Sequence, residues 1–125
     1  MQTLITKPIR EILIANNDKS LEIRAKLDET GNEQSIDFAP ALKLFCPWNN
    51  STWLITELDP QTNIAFGLAD LGMGSPELGY IALDELTAYQ HPSGLRIERD
   101  RYFDAHGKLL GDFAKAAREA GYIEI

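Results

Sequence analysis

Three short apolar segments, joined by connections too short for any crossover, constrain this chain more than any other feature. They cover residues 42–46, 52–58 and 64–69, and only five residues separate each from the next. Pro47 and Asn49-Asn50-Ser51 punctuate the first connection, and Asp59-Pro60-Gln61-Thr62-Asn63 the second, which is turn chemistry. A parallel return needs a dozen or more residues, so the spacing predicts an antiparallel meander. Strict alternation in the second segment puts Trp53, Ile55 and Glu57 on one face and Leu54, Thr56 and Leu58 on the other. Neither face is cleanly polar, so this strand is expected in the middle of the sheet.

Helices are expected at both ends of the meander. Thr6 can cap a helix starting at Lys7-Pro8, with Ile9, Ile12 and Leu13 on one face and an end near Asn16-Asn17. Leu21, Ile23 and Leu27 then sit among charges before Gly31-Asn32, so residues 18–37 read as a short helix or a mobile insertion. After the meander, Gly72, Gly74 and Pro76 mark a loop before a fourth strand over 78–83. Asp84 can cap a helical turn over 85–89, and residues 95–99 alternate like a further strand. Asp112 opens a helix carrying Phe113, Ala116, Ala117 and Ala120, which Gly121 closes, leaving 122–125 as a docked or frayed tail. The expectation is one α+β domain over 1–125: a small antiparallel sheet of about four to five strands packed with an N-terminal and a C-terminal helix.

Charge narrows the function classes. The net charge is −7, and residues 52–107 hold nine acids against three arginines, with no lysine between Lys43 and Lys108. That segment lacks the basic stripe used to hold a phosphate backbone, so direct nucleic-acid binding is not expected. An acidic face instead suits a protein partner with a basic surface. No apolar run approaches the roughly 20 residues of a membrane helix, so no membrane partner is expected. Cys46 is the only cysteine, which excludes an intrachain disulfide and a thiolate zinc site and fits a reducing, cytoplasmic home.

Conventional catalytic patterns are missing. His91 and His106 lie fifteen residues apart in predicted loops, a poor start for a metal site. The lysine gap removes the acid-plus-lysine arrangement of restriction-type nucleases. No serine occupies a nucleophile elbow, and Cys46 lies mid-strand before a proline, where thiols pack rather than react. The run 71–77 has phosphate-loop glycines but neither the Gly-Lys-Ser/Thr ending nor a long following helix. It reads better as a flexible loop with Met73 as an apolar tip. One enzymatic alternative survives: Glu57, Asp59 and Asp70 could supply oxygen ligands to a divalent metal in a hydrolase. Arg99 is expected to pair with Glu57 or Glu77.

The pieces Trp53 to Pro60, Ala65 to Gly74, Pro76-Glu77-Leu78-Gly79-Tyr80, Gly94-Leu95 and Ile97-Glu98-Arg99-Asp100, in this order and spacing, resemble a bacterial domain family of unknown function common on plasmids and other mobile DNA. The likeness is concentrated in residues 42–103, with a looser one at Leu4-Ile5-Thr6. It implies a mobile-element accessory protein and supplies neither an activity nor catalytic residues. With the acidic bias, the expectation is a non-enzymatic protein-binding module of the anti-restriction or anti-CRISPR kind, whose carboxylates meet a basic surface. The residues expected to bind are Glu57, Asp70, Met73, Glu77, Tyr80, Asp84, Glu85, Glu98 and Arg99; no cofactor, catalytic residue or resident metal is expected.

Overall fold

The protein is described by a computed structural model that covers residues 4–31 and 36–124. Its elements run α1 (Lys7–Thr30), β1 (Leu42–Phe45), β2 (Thr52–Leu58), β3 (Ile64–Asp70), β4 (Glu77–Ala82), α2 (Leu83–Ala88), β5 (Glu98–Arg99) and α3 (Leu110–Ala120). The five strands form one antiparallel sheet in the order β4-β3-β2-β1-β5. This is the expected α+β architecture, with β2 central as its two apolar faces require.

The two faces carry separate cores. One gathers Leu13 of α1 with Leu42, Leu44, Trp53, Ile55, Leu58, Ala65 and Ile81. The other gathers Leu110, Phe113, Ala114 and Ala117 of α3 with Leu54 and Leu68. Burying both faces of β2 explains why its alternation is apolar throughout.

Alternation nevertheless fails once. The β2–β3 register pairs Ile55 with Gly67 but Glu57 with Phe66, so Thr56 is the extra residue of a β-bulge. Beyond the bulge Leu58 packs with Trp53 and Ile55 rather than with Leu54. The face assignment expected from strict alternation is corrected at Leu58, whereas Glu57 meets Ser20 of α1 on the face shared by Trp53 and Ile55, as expected.

A second correction concerns α1. The helix does not end at Asn16-Asn17 but runs on to Thr30, and Gly31 closes it with its amide on the Leu27 carbonyl at 2.8 Å. Its sheet-facing seam is Ile9, Leu13, Asn16, Ser20 and Ile23, in steps of four and three. Two seam positions are polar, which hides the stripe from an apolar count. Asn16 Nδ2 donates to the Thr56 carbonyl at 2.9 Å, and the Ser20 hydroxyl bonds the Glu57 carboxylate. Residues 18–30 thus continue the first helix, whereas 32–35 of the insertion lie outside the described residues.

Smaller elements follow their local chemistry. β5 is shorter than the strand expected over 95–99, because residues 90–96 form a tight hairpin with a single Gln90–Arg96 bridge. Helix α3 starts two residues before Asp112, whose carboxylate reaches back to the Leu109 amide at 2.9 Å. Its next free amide, on Gly111, is taken by the distant Asp37 carboxylate at 3.2 Å.

Candidate functional site

The expected binding residues divide among four places. Met73, Glu77, Tyr80, Asp84 and Glu85 lie along and just beyond β4, which forms one edge of the sheet. Asp70 closes the loop end of β3, Glu57 lies under α1, and Glu98 and Arg99 occupy the far edge at β5. Five of the nine therefore share one edge of the sheet, with Glu77 at one end of β4 and Asp84 and Glu85 beyond the other.

The β4 edge carries unusual apolar exposure. Met73 is 76% exposed, Tyr80 75% and Leu78 40%, and Leu71 is also open to solvent. Gly72 and Gly74, with φ of 77° and 80°, turn the chain so that Met73 stands at the loop tip. Tyr80 meets Phe66 of β3 edge to face, with ring centroids 5.5 Å apart. Exposed carboxylates Glu77, Asp84 and Glu85 flank the strand. Asp84 does not cap α2, as expected from sequence; Ala82 holds that position, and Asp84 accepts from Asn63 Nδ2 at 2.6 Å. Asn63, in the left-handed region at φ 58°, also accepts from Arg10 at 3.2 Å and so ties α1 to α2 through the β2–β3 turn.

Asp70 is spoken for. Only 2% exposed, it accepts from the amides of Gly72 and Ile123, both at 2.9 Å. It thereby holds the loop and the C-terminal tail, which is docked through Ile123. A cleft of about 610 Å³ opens beside it, lined by the β1–β2 turn, Gly72, Gly74 and Tyr122. Its one lysine, Lys43, is bound to Asp100 at 3.2 Å.

A smaller cleft, about 370 Å³, lies between the second half of α1 and the β2–β4 end of the sheet. Asn17, Ser20 and Arg24 of α1 form one wall; Glu57, Asp59, Phe66 and Tyr80 form the rest. Glu57 is only 8% exposed, and burial pushes its carboxyl above the ordinary value, opposed by the Ser20 hydrogen bond and the Arg24 charge. The α1 wall of this cleft is absent from the sequence-based expectation. Ser20 at the seventh position after Leu13 was the sequence signal, since a seam spacing brings it to the sheet.

The three carboxylates of the hydrolase reading do not converge. Glu57 pairs with Phe66 and Asp70 with Thr52, four ladder positions away, which is about 13 Å along a strand. Asp59 is turn chemistry, accepting from the Gln61 amide at 2.9 Å. No group of three or more candidate ligands occurs among the described residues. Arg99 pairs with neither Glu57 nor Glu77: it lies opposite Leu44 on the other edge and donates to the Leu4 carbonyl at 3.3 Å. The histidines stay apart in role, His91 stacked on Trp48 at 4.8 Å and His106 exposed. Cys46 is buried, and burial raises its thiol, so it packs as expected. Among the described residues no helix is long and apolar enough to cross a membrane.

A family described as "Protein of unknown function (DUF2958)" matches residues 4–124. No curated protein and no solved structure matches the chain.

Proposed function

The chain belongs to the DUF2958 family of unknown function, and from that premise we propose that it is a non-enzymatic protein-binding module whose contact surface is the β4 edge. One observation carries this reading: among the described residues no strand pairs with the outer side of β4, which lies beside exposed Met73, Leu78 and Tyr80. Soluble proteins normally blunt or cover such an edge, because it templates pairing with another chain. Glu77, Asp84 and Glu85 give the same edge an acidic border, which selects a basic partner and speeds encounter with it. This is β-strand addition with charge selection.

The mobile-DNA resemblance supports a finer proposal: an accessory protein that inhibits a host defence, of the anti-restriction or anti-CRISPR kind, by occupying a basic nucleic-acid-binding surface. The charge excess of residues 52–107 is consistent with it.

The test is capture of host proteins by the immobilised chain at about 50 mM and about 500 mM salt, a range over which exposed charge pairs become screened. A specific partner should be held at low salt, released at high salt, and missed by the Glu77→Lys, Asp84→Lys, Glu85→Lys triple variant. Equal capture by the triple variant removes the acidic border from the site, and equal capture at both salts removes the electrostatic mechanism.

A further inference from the structure

We propose that the cleft between α1 and the β2–β4 end of the sheet is a pocket for the guanidinium group of a partner arginine. The proposal rests on the protein-binding reading and deepens it, because Tyr80 belongs both to this cleft and to the exposed β4 edge. A chain lying along β4 can therefore drop a side chain into the cleft.

Size limits the occupant first. At about 370 Å³ the cleft is at the small end of the roughly 300–1,000 Å³ that hold drug-sized ligands. One long side chain fits it, and the Glu57 and Asp59 carboxylates in its lining disfavour a nucleotide's phosphates.

Charge and shape then select the guanidinium. Two carboxylates, Glu57 and Asp59, line the cleft against one resident cation, Arg24. Glu57 receives a hydrogen bond from Ser20, and a carboxylate has about four acceptor sites, so it can still accept from a planar two-pronged donor. Desolvation makes the buried Glu57 charge costly, as its raised carboxyl value reflects. A guest cation relieves that cost. Phe66 and Tyr80, edge to face at 5.5 Å, add ring surfaces on which a flat, weakly hydrated cation stacks better than a lysine ammonium. Asn17 and Thr62 offer oxygens for the remaining donors.

The experiment titrates the intact protein with N-acetyl-arginine methylamide, followed by amide NMR, with the isosteric neutral citrulline derivative as control. Saturable shifts centred on Ser20, Glu57 and Tyr80 are expected for arginine and not for citrulline. Glu57→Gln and Tyr80→Ala should each weaken binding about tenfold, as loss of a charged hydrogen bond implies. Arg24→Ala should tighten it by removing the resident cation, an effect no purely structural role for Arg24 produces. Equal shifts with citrulline, undiminished binding in Glu57→Gln, or weaker binding in Arg24→Ala would each overturn the pocket. The two readings fail separately. Loss of partner capture with arginine binding intact rejects the protein-binding edge, whereas capture that survives Glu57→Gln with no arginine binding rejects only the pocket.

Discussion

The backbone of Gly67 in β3 lies directly against the carbonyl oxygen of Leu54 in β2, and a methyl group on Gly67 would overlap that oxygen. The contact sits next to the bulge at Thr56. Gly67→Ala must therefore move backbone rather than a flexible side chain. A loss of about 2 kcal/mol or more is expected, read as a fall in Tm of roughly 8 °C. Gly79→Ala is the control, since a methyl there meets nothing within 4 Å, and its Tm should hardly move. Equal behaviour of the two variants would refute the close approach.

Asp70 governs the C-terminal tail. Asp70→Ala leaves the amides of Gly72 and Ile123 without their acceptor and should cost about 2 kcal/mol. Hydrogen exchange at Ile123 is the sharper measurement. Protection of that amide should fall well before α3 itself opens; unchanged protection would show that the tail is held by something else.

Asp37 and Gly111 are coupled across 74 positions of sequence. Asp37 caps α3 through the Gly111 amide, so Asp37→Ala should cost about 1 kcal/mol. A methyl on Gly111 would stand 2.6 Å from Asp37 Oδ2, so Gly111→Ala breaks the same cap. In the Asp37→Ala background that obstacle is gone, and Gly111→Ala should instead stabilise by up to about 1 kcal/mol through helix propensity. A double-mutant cycle in urea reads the coupling; strict additivity would contradict it.

Two carboxylates should bend the stability–pH curve in opposite directions. Burial holds Glu57 above its ordinary 4.5, so the folded state favours its proton: that contribution is complete below 4.5 and lost as pH rises through the folded value. Glu57→Gln should thus be at least as stable as wild type at pH 7 and lose its advantage on acidification. Asp100 is held below its ordinary 3.8 by the Tyr102 amide, with the Lys43 ammonium acting in the same direction. Its contribution is present above 3.8 and is lost as pH falls through the lowered value. Asp100→Asn should cost up to about 1 kcal/mol at neutral pH, a difference that closes in acid. Urea titrations of both variants at pH 7 and about pH 4 decide the signs; a Glu57→Gln deficit at pH 7 would reverse the first.

The parts legible in the sequence were those set by neighbours. Five-residue connectors dictated an antiparallel β1–β2–β3 meander, and the two-sided apolar pattern of β2 placed it centrally. What escaped depends on partners far along the chain. Asn16 and Ser20 look like helix interruptions until Thr56 and Glu57 satisfy them. The Thr56 bulge, which returns Leu58 to the α1 face, has no local marker, and the packing of Gly67 that accompanies it reads in sequence only as a glycine within a strand. Charge alternation around Arg99 does not say which edge its strand joins, so the pairing with Glu57 or Glu77 that it suggests is not the one the fold makes. At the site, Glu57, Asp59 and Tyr80 were recognisable as individual polar or aromatic residues, but the α1 wall that makes them a cleft was not.

The unequal edges of the sheet limit what self-association can build. One side offers the six residues of β4, the other only the two of β5. A fibre needs two extended edges on every copy so that each addition exposes the next template. Here copies can join by strand pairing only β4 to β4, and that union consumes both long edges at once. Growth by strand pairing therefore stops at two, and a closed pair carries no long edge from which a polymer could extend.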